Sequence, residues 1–77
     1  MEIKEFIANF AEQFDETDAN AFTEETVFHE LEDYSSLVAL SIIAMIDEEY
    51  GVTIGANEMR SSVTVQDLFD QVKAKAE

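Results

Sequence analysis

Apolar residues recur at steps of three and four through the first fourteen positions. Ile3, Phe6, Ile7, Phe10 and Phe14 form one helical stripe, and Glu5, Asn9, Glu12 and Gln13 fall off it. The spacing predicts a helix from about Glu2 to Phe14, with Glu2 and Glu5 near the positive end of its dipole. The periodicity then lapses. Asp15-Glu16-Thr17-Asp18 reads as loop, and Ala19 to Phe22, Val27-Phe28 and Leu31 supply isolated apolar anchors in a stretch reaching residue 34. A connection of that length is uncommon unless it is functional or partly structured. Its apolar residues are therefore expected to pin it across the fold.

The next run, Leu37-Val38-Ala39-Leu40-Ser41-Ile42-Ile43-Ala44-Met45-Ile46, is apolar nearly all round. It predicts a helix over Ser36 to Tyr50 that is central, or that shows a second apolar face to a partner. Ser35 is a natural N-cap, and Gly51 suits the left-handed residue that ends many helices. Val52-Thr53-Ile54 reads as short and extended, and Gly55 breaks it. Ala56 to Ser61 predicts one short helix with Met59 as its apolar contact. A last helix opens at Thr64, where Thr64-Val65-Gln66-Asp67 resembles a capping box. Val65, Leu68, Phe69 and Val72 form its buried stripe, and Lys73 and Lys75 complement its C-terminal dipole. The expected fold is all-α: a small four-helix bundle, three principal helices plus one short helix, with a long loop between the first two. Residues 1–77 are expected to be one domain.

Charge changes this picture. Eighteen acidic residues stand against four basic ones, a formal net charge of −14, and no Lys or Arg lies between Lys4 and Arg60. Such a field repels nucleic acid and anionic membranes and attracts basic protein surfaces. Acidity of this degree can prevent folding, but 47% of the residues are hydrophobic and they are patterned. The chain is therefore expected to fold while repelling itself. It holds no Cys, so neither a disulfide nor a thiolate metal site is possible. The N-terminus shows no basic segment followed by a long apolar run, and no stretch is long enough to span a bilayer, so the default expectation is the cytoplasm, without membrane insertion.

Few side chains point to chemistry. His29 is the single histidine, with no nucleophile or carboxylate at motif spacing around it, and reads as a loop or packing residue. Asp15, Glu16 and Asp18 lack the ordered spacing, central Gly and closing Glu of a calcium loop. Met45 and Met59 read as packing residues. Ser36 is different. A phosphate esterified at a helix start would meet free backbone amides and the positive dipole end, and the long loop before it leaves the serine reachable. On physics alone, however, most serines at helix starts are simply caps.

The run Leu31-Glu32-Asp33-Tyr34-Ser35-Ser36-Leu37, the apolar helix after it, and its ending in Asp47-Glu48-Glu49-Tyr50-Gly51-Val52-Thr53-Ile54 resemble the acyl carrier protein family, the phosphopantetheine-binding carrier proteins. In that family Asp-Ser-Leu heads such a helix, often after an aromatic residue, and acids followed by an aromatic and a β-branched run close it. Val63-Thr64-Val65-Gln66-Asp67-Leu68 is similar to the opening of the family's last helix. The likeness extends over almost the whole chain. It departs at Ser35, where the family usually has Asp, and at Val38 and Ser41, where acids are frequent in fatty-acid carriers. These departures point to a specialised pathway rather than bulk fatty-acid synthesis. The register rests on Leu37, which directly follows Ser36 rather than Ser35.

The resemblance implies a function. Ser36 would carry a covalent 4'-phosphopantetheine arm delivered from coenzyme A by a phosphopantetheinyl transferase. The arm's thiol would hold an acyl group as a thioester and present it to partner enzymes of fatty-acid, polyketide or related synthesis. The chain itself would not be an enzyme, and the thiol it lacks would belong to the arm. The expected partners are acyl-loading and acyl-transferring enzymes with basic docking surfaces, met by a monomer through Leu37, Leu40, Ala44, Asp47 and Glu48. Ile42, Ile43 and Ile46 would then face the core or line a pocket for the acyl chain. Two alternatives remain open: a peptidyl or aminoacyl carrier, and a small acidic protein-binding adaptor that is never modified.

Overall fold

The computed structural model describes residues 2–76. Four helices, α1 (Ile3–Ala11), α2 (Ser36–Tyr50), α3 (Ala56–Ser61) and α4 (Val65–Ala76), enclose one core. The described residues contain no strand, only an isolated antiparallel bridge between Val27 and Thr64.

The stripe along α1 buries Phe6 and Phe10 completely. The helix ends earlier than the spacing predicts. Beyond Ala11 the amides of Gln13 and Phe14 bond back only three residues, to the carbonyls of Phe10 and Ala11. This tighter turn still delivers Phe14 into the core, so the apolar spacing holds where the helix does not.

The loop from Glu12 to Ser35 is pinned as expected. Two 3₁₀ turns, Ala19–Ala21 and Phe28–Glu30, interrupt it. Phe22 and Phe28 are buried on the ring of Phe10, with centroids 5.9 and 5.2 Å away. The amides of Val65 and Gln66 reach back to the carbonyls of Thr26 and Glu24, tying the loop to the start of α4.

In α2, Ile42, Met45 and Ile46 face the core. Gly51 then takes a left-handed conformation (φ 65°) and its amide caps Asp47. A side chain there would be strained. Val52 and Ile54 are buried and Thr53 between them is exposed, the alternation of an extended segment. α4 opens at Val65 with Thr64 as its cap, as the capping-box pattern predicts. The Thr64 hydroxyl accepts from the Asp67 amide at 3.1 Å, and the Asp67 carboxylate accepts from the amides of Thr64 and Val63 at 3.1 and 3.2 Å. Those amides hold the Asp67 carboxyl below the usual carboxylate range, Thr64's contributing most. Ser62, the one buried polar residue among those described, donates to the carbonyl of Glu58 at 2.8 Å and accepts from Gln71, which locks α3 onto α4.

Candidate functional site

The start of α2 is held from both sides. Tyr34 is half-buried and packs its ring on Phe28 (centroids 5.5 Å) and on His29 (5.1 Å), so burial raises its phenol pKa. One residue earlier, the Asp33 carboxylate accepts from the Glu16 amide at 3.0 Å, the Thr17 amide at 3.1 Å and the Thr17 hydroxyl. The Thr17 hydroxyl is the main reason the Asp33 carboxyl lies below its ordinary value, with the two amides assisting against partial desolvation. Asp33 thus ties the beginning of the long loop to its end, and Tyr34 plugs that end into the core.

Ser35 follows in extended conformation, and its hydroxyl accepts from the Val38 amide at 3.3 Å. It is the N-cap that the sequence predicts. Losing such a cap costs about 1 kcal/mol, so Ser35→Ala is expected to lower the denaturation midpoint by that equivalent; an unchanged midpoint in urea would show that the cap contributes nothing. The first intrahelical bond runs from the Ala39 amide to the Ser35 carbonyl at 2.9 Å. The amides of Ser36 and Leu37 therefore have no partner within the helix. Ser36 itself is exposed.

Beside Ser36 lies an open groove of about 400 Å³ between α2 and α3. Ala39, Leu40 and Ile43 form one wall, Ala56, Met59 and Arg60 the other, and Tyr34, Ser35 and Ser36 its end. The predicted partner residues lie together on the outer face of α2. Leu37 and Leu40 are 76% and 62% exposed, and Ala44, Asp47 and Glu48 are exposed too. At 3.6 residues per turn they share one side with Ser36. Of the three isoleucines left between two roles, Ile42 and Ile46 are wholly buried in the core, while Ile43 is half-buried and lines the groove.

Two parts of this arrangement are absent from the sequence reading. The far wall on α3 depends on where that helix lies, which no local pattern states. Its backbone is held by His29, whose Nε2 is 3.0 Å from the carbonyl of Met59. The role of Asp33 as a loop clasp has no spacing signature, because its partners Glu16 and Thr17 lie far back in the chain. Among the described residues no cluster of three or more potential metal ligands occurs, and no helix is long and apolar enough to cross a membrane.

An exposed serine on the first turn of a helix, two amides with no helical partner and an apolar groove alongside suit a phosphodiester followed by a flexible chain. Comparison with known proteins decides the family: the family profile described as the phosphopantetheine attachment site matches residues 4–72. The chain belongs to that family. No curated protein and no solved structure gives a match. Members of the phosphopantetheine attachment family carry a covalently attached 4'-phosphopantetheine and act as non-catalytic carriers. They work with phosphopantetheinyl transferases and acyl-handling enzymes. The chain is accordingly a phosphopantetheine carrier protein with an all-α fold.

Proposed function

We propose that Ser36 is the attachment residue and that the chain is a single-domain, monomeric, cytoplasmic acyl carrier serving a specialised branch of acyl chemistry. One observation carries the assignment to Ser36: within a phosphopantetheine carrier, it is an exposed serine on the first turn of α2, at the end of an open groove. Ser35 is exposed at the same end of the groove, but it stands before the helix as its N-cap, its hydroxyl accepting from the Val38 amide.

In this reading each residue has a definite task. Ser36 Oγ forms the phosphodiester. The amides of Ser36 and Leu37 and the positive end of α2 favour its negative charge by roughly 0.3–1 kcal/mol. The arm, once attached, supplies a thiol for a thioester and a tether that raises the acyl group's concentration at a docked active site. Leu37, Leu40 and Ala44 offer partners an apolar strip, and Asp47 and Glu48 an acidic end that suits basic patches on a transferase or acyl-handling enzyme.

The absence of any charge from Ser35 to Ile46 favours a second reading, a peptidyl or aminoacyl carrier. The outer face of α2 is acidic only beyond that point, so partners of either type must recognise its first half by apolar contact.

The test is intact mass after incubation with coenzyme A, magnesium and a broad-specificity transferase. The expected result is a gain of one phosphopantetheine in the parent and in Ser35→Ala, and none in Ser36→Ala. A gain lost in Ser35→Ala and kept in Ser36→Ala would move the assignment by one residue. No gain with any transferase, the host's own included, would favour the unmodified adaptor.

A further inference from the structure

Arg60 is an anomaly in its surroundings. It is one of four basic residues in a chain of charge −14, yet among the described residues the one ion pair joins Lys75 to Glu58, at 3.3 Å. Its acidic neighbour Glu58 is committed elsewhere, accepting from the Gly55 amide at 2.9 Å as well as from Lys75. Arg60 Nη2 donates to Asn57 Oδ1, a neutral oxygen that orients the guanidinium without neutralising it. The remaining donors of the fork stay available. The side chain is exposed and lines the groove at whose end Ser36 lies.

On the reading that Ser36 carries the arm, we propose that Arg60 binds the phosphodiester of that arm and so lays its first atoms along the groove between α2 and α3. The phosphorus would be one bond from Ser36 Oγ, which confines its charge to the end of the groove. A planar guanidinium can engage two phosphate oxygens at once. The other walls, Ala39, Leu40, Ile43 and Met59, offer no charge. A carboxylate at the far end of a cargo has no such confinement, because the flexible arm lies between it and Ser36. The phosphodiester is thus the anion the geometry favours.

The experiment uses full-length protein loaded from coenzyme A, observed by ³¹P NMR and by the Arg60 Nε–H resonance. Loading is expected to move that resonance, and raising salt from about 0.05 M to 0.5 M to move it back as the pair is screened. Arg60→Gln should narrow the ³¹P line as the phosphodiester gains freedom. Arg60→Lys should leave an intermediate width, since an ammonium keeps the charge and loses the fork. Backbone amide spectra that overlay outside α3 would show both variants folded. A loaded protein whose Arg60 resonance does not move, and whose ³¹P line is the same in Arg60→Gln, overturns the assignment to Arg60 and leaves Ser36 standing. Failure to gain mass at Ser36 overturns both.

Discussion

Phe10→Ala is expected to destabilise the fold by about 3–5 kcal/mol, the largest loss of any single core truncation. Phe10 is fully buried, and its ring lies within 6.3 Å of those of Phe6, Phe14, Phe22 and Phe28. Two of these belong to the helical stripe of the N-terminal segment and two to the long loop. Truncating a buried Phe costs about 3–5 kcal/mol, and each lost aromatic pair accounts for about 0.5–1.5 kcal/mol beyond area. A chain of this size commands roughly 4–12 kcal/mol in all. The substitution therefore removes about a quarter of the stability in a favourable case and all of it in an unfavourable one. Far-UV circular dichroism against urea measures it, with Phe10→Leu as the conservative control. A midpoint for Phe10→Ala equivalent to a loss under about 1 kcal/mol would refute the central role given to this ring.

The functional consequence follows from what Phe10 holds. Phe22 and Phe28 anchor the loop on it, and Tyr34 packs on Phe28 one residue before the cap of α2. Loss of Phe10 frees the segment that aims Ser36. The loading reaction should fail in this variant for a structural reason, and the urea curve separates that case from Ser36→Ala, which should melt like the parent.

The sequence made some of this legible and concealed the rest for definable reasons. Helical spacing located α1 and α4, and local chemistry located their neighbours: Ser35 and Gly51 bound α2, and Thr64 with Asp67 opens α4. These features involve groups within four residues of each other, where pattern and geometry coincide. The end of α1 was less legible, since Phe14 satisfies the apolar spacing from a tight turn as well as from a helix. Spacing places Leu37, Leu40 and Ala44 on one side of α2, but it is the family likeness that marks that side as the outer one. The groove's far wall followed from neither. Arg60 stands out in the charge pattern as an isolated cation, yet its place opposite α2 is set by long-range contacts through His29 and Ser62. The family likeness, not helix-start geometry, is what distinguishes Ser36 from any other serine beginning a helix.

Salt is expected to stabilise this fold strongly while weakening its binding to basic partners. The charge of −14 is confined to a body with a radius of gyration of 11.1 Å and extents of 32 × 23 × 20 Å. At about 0.01 M salt the Debye length, roughly 30 Å, matches the whole molecule, and every carboxylate repels every other. At about 0.15 M it falls to roughly 8 Å and leaves only near neighbours. The unfolded chain, with a radius of gyration of roughly 27 Å, spreads the same charge and benefits less. Treating both states as charged spheres in water, the change in salt favours folding by on the order of 3–6 kcal/mol. That corresponds to a rise in melting temperature of at least about 10 °C. A scan in sodium chloride at fixed pH measures it, and a melting temperature constant to within about 2 °C would show that the repulsion is offset inside the fold. On the proposed docking face the sign is opposite, because Asp47 and Glu48 would attract basic surfaces only as far as screening allows. Apolar contacts made through Leu37 and Leu40 would carry no such dependence. Partner affinity measured above about 0.15 M, where the fold is secure, should therefore fall with salt more gently than for a carrier with acids along the whole of this helix. A steep loss there would mean that the neutral strip contributes little to binding.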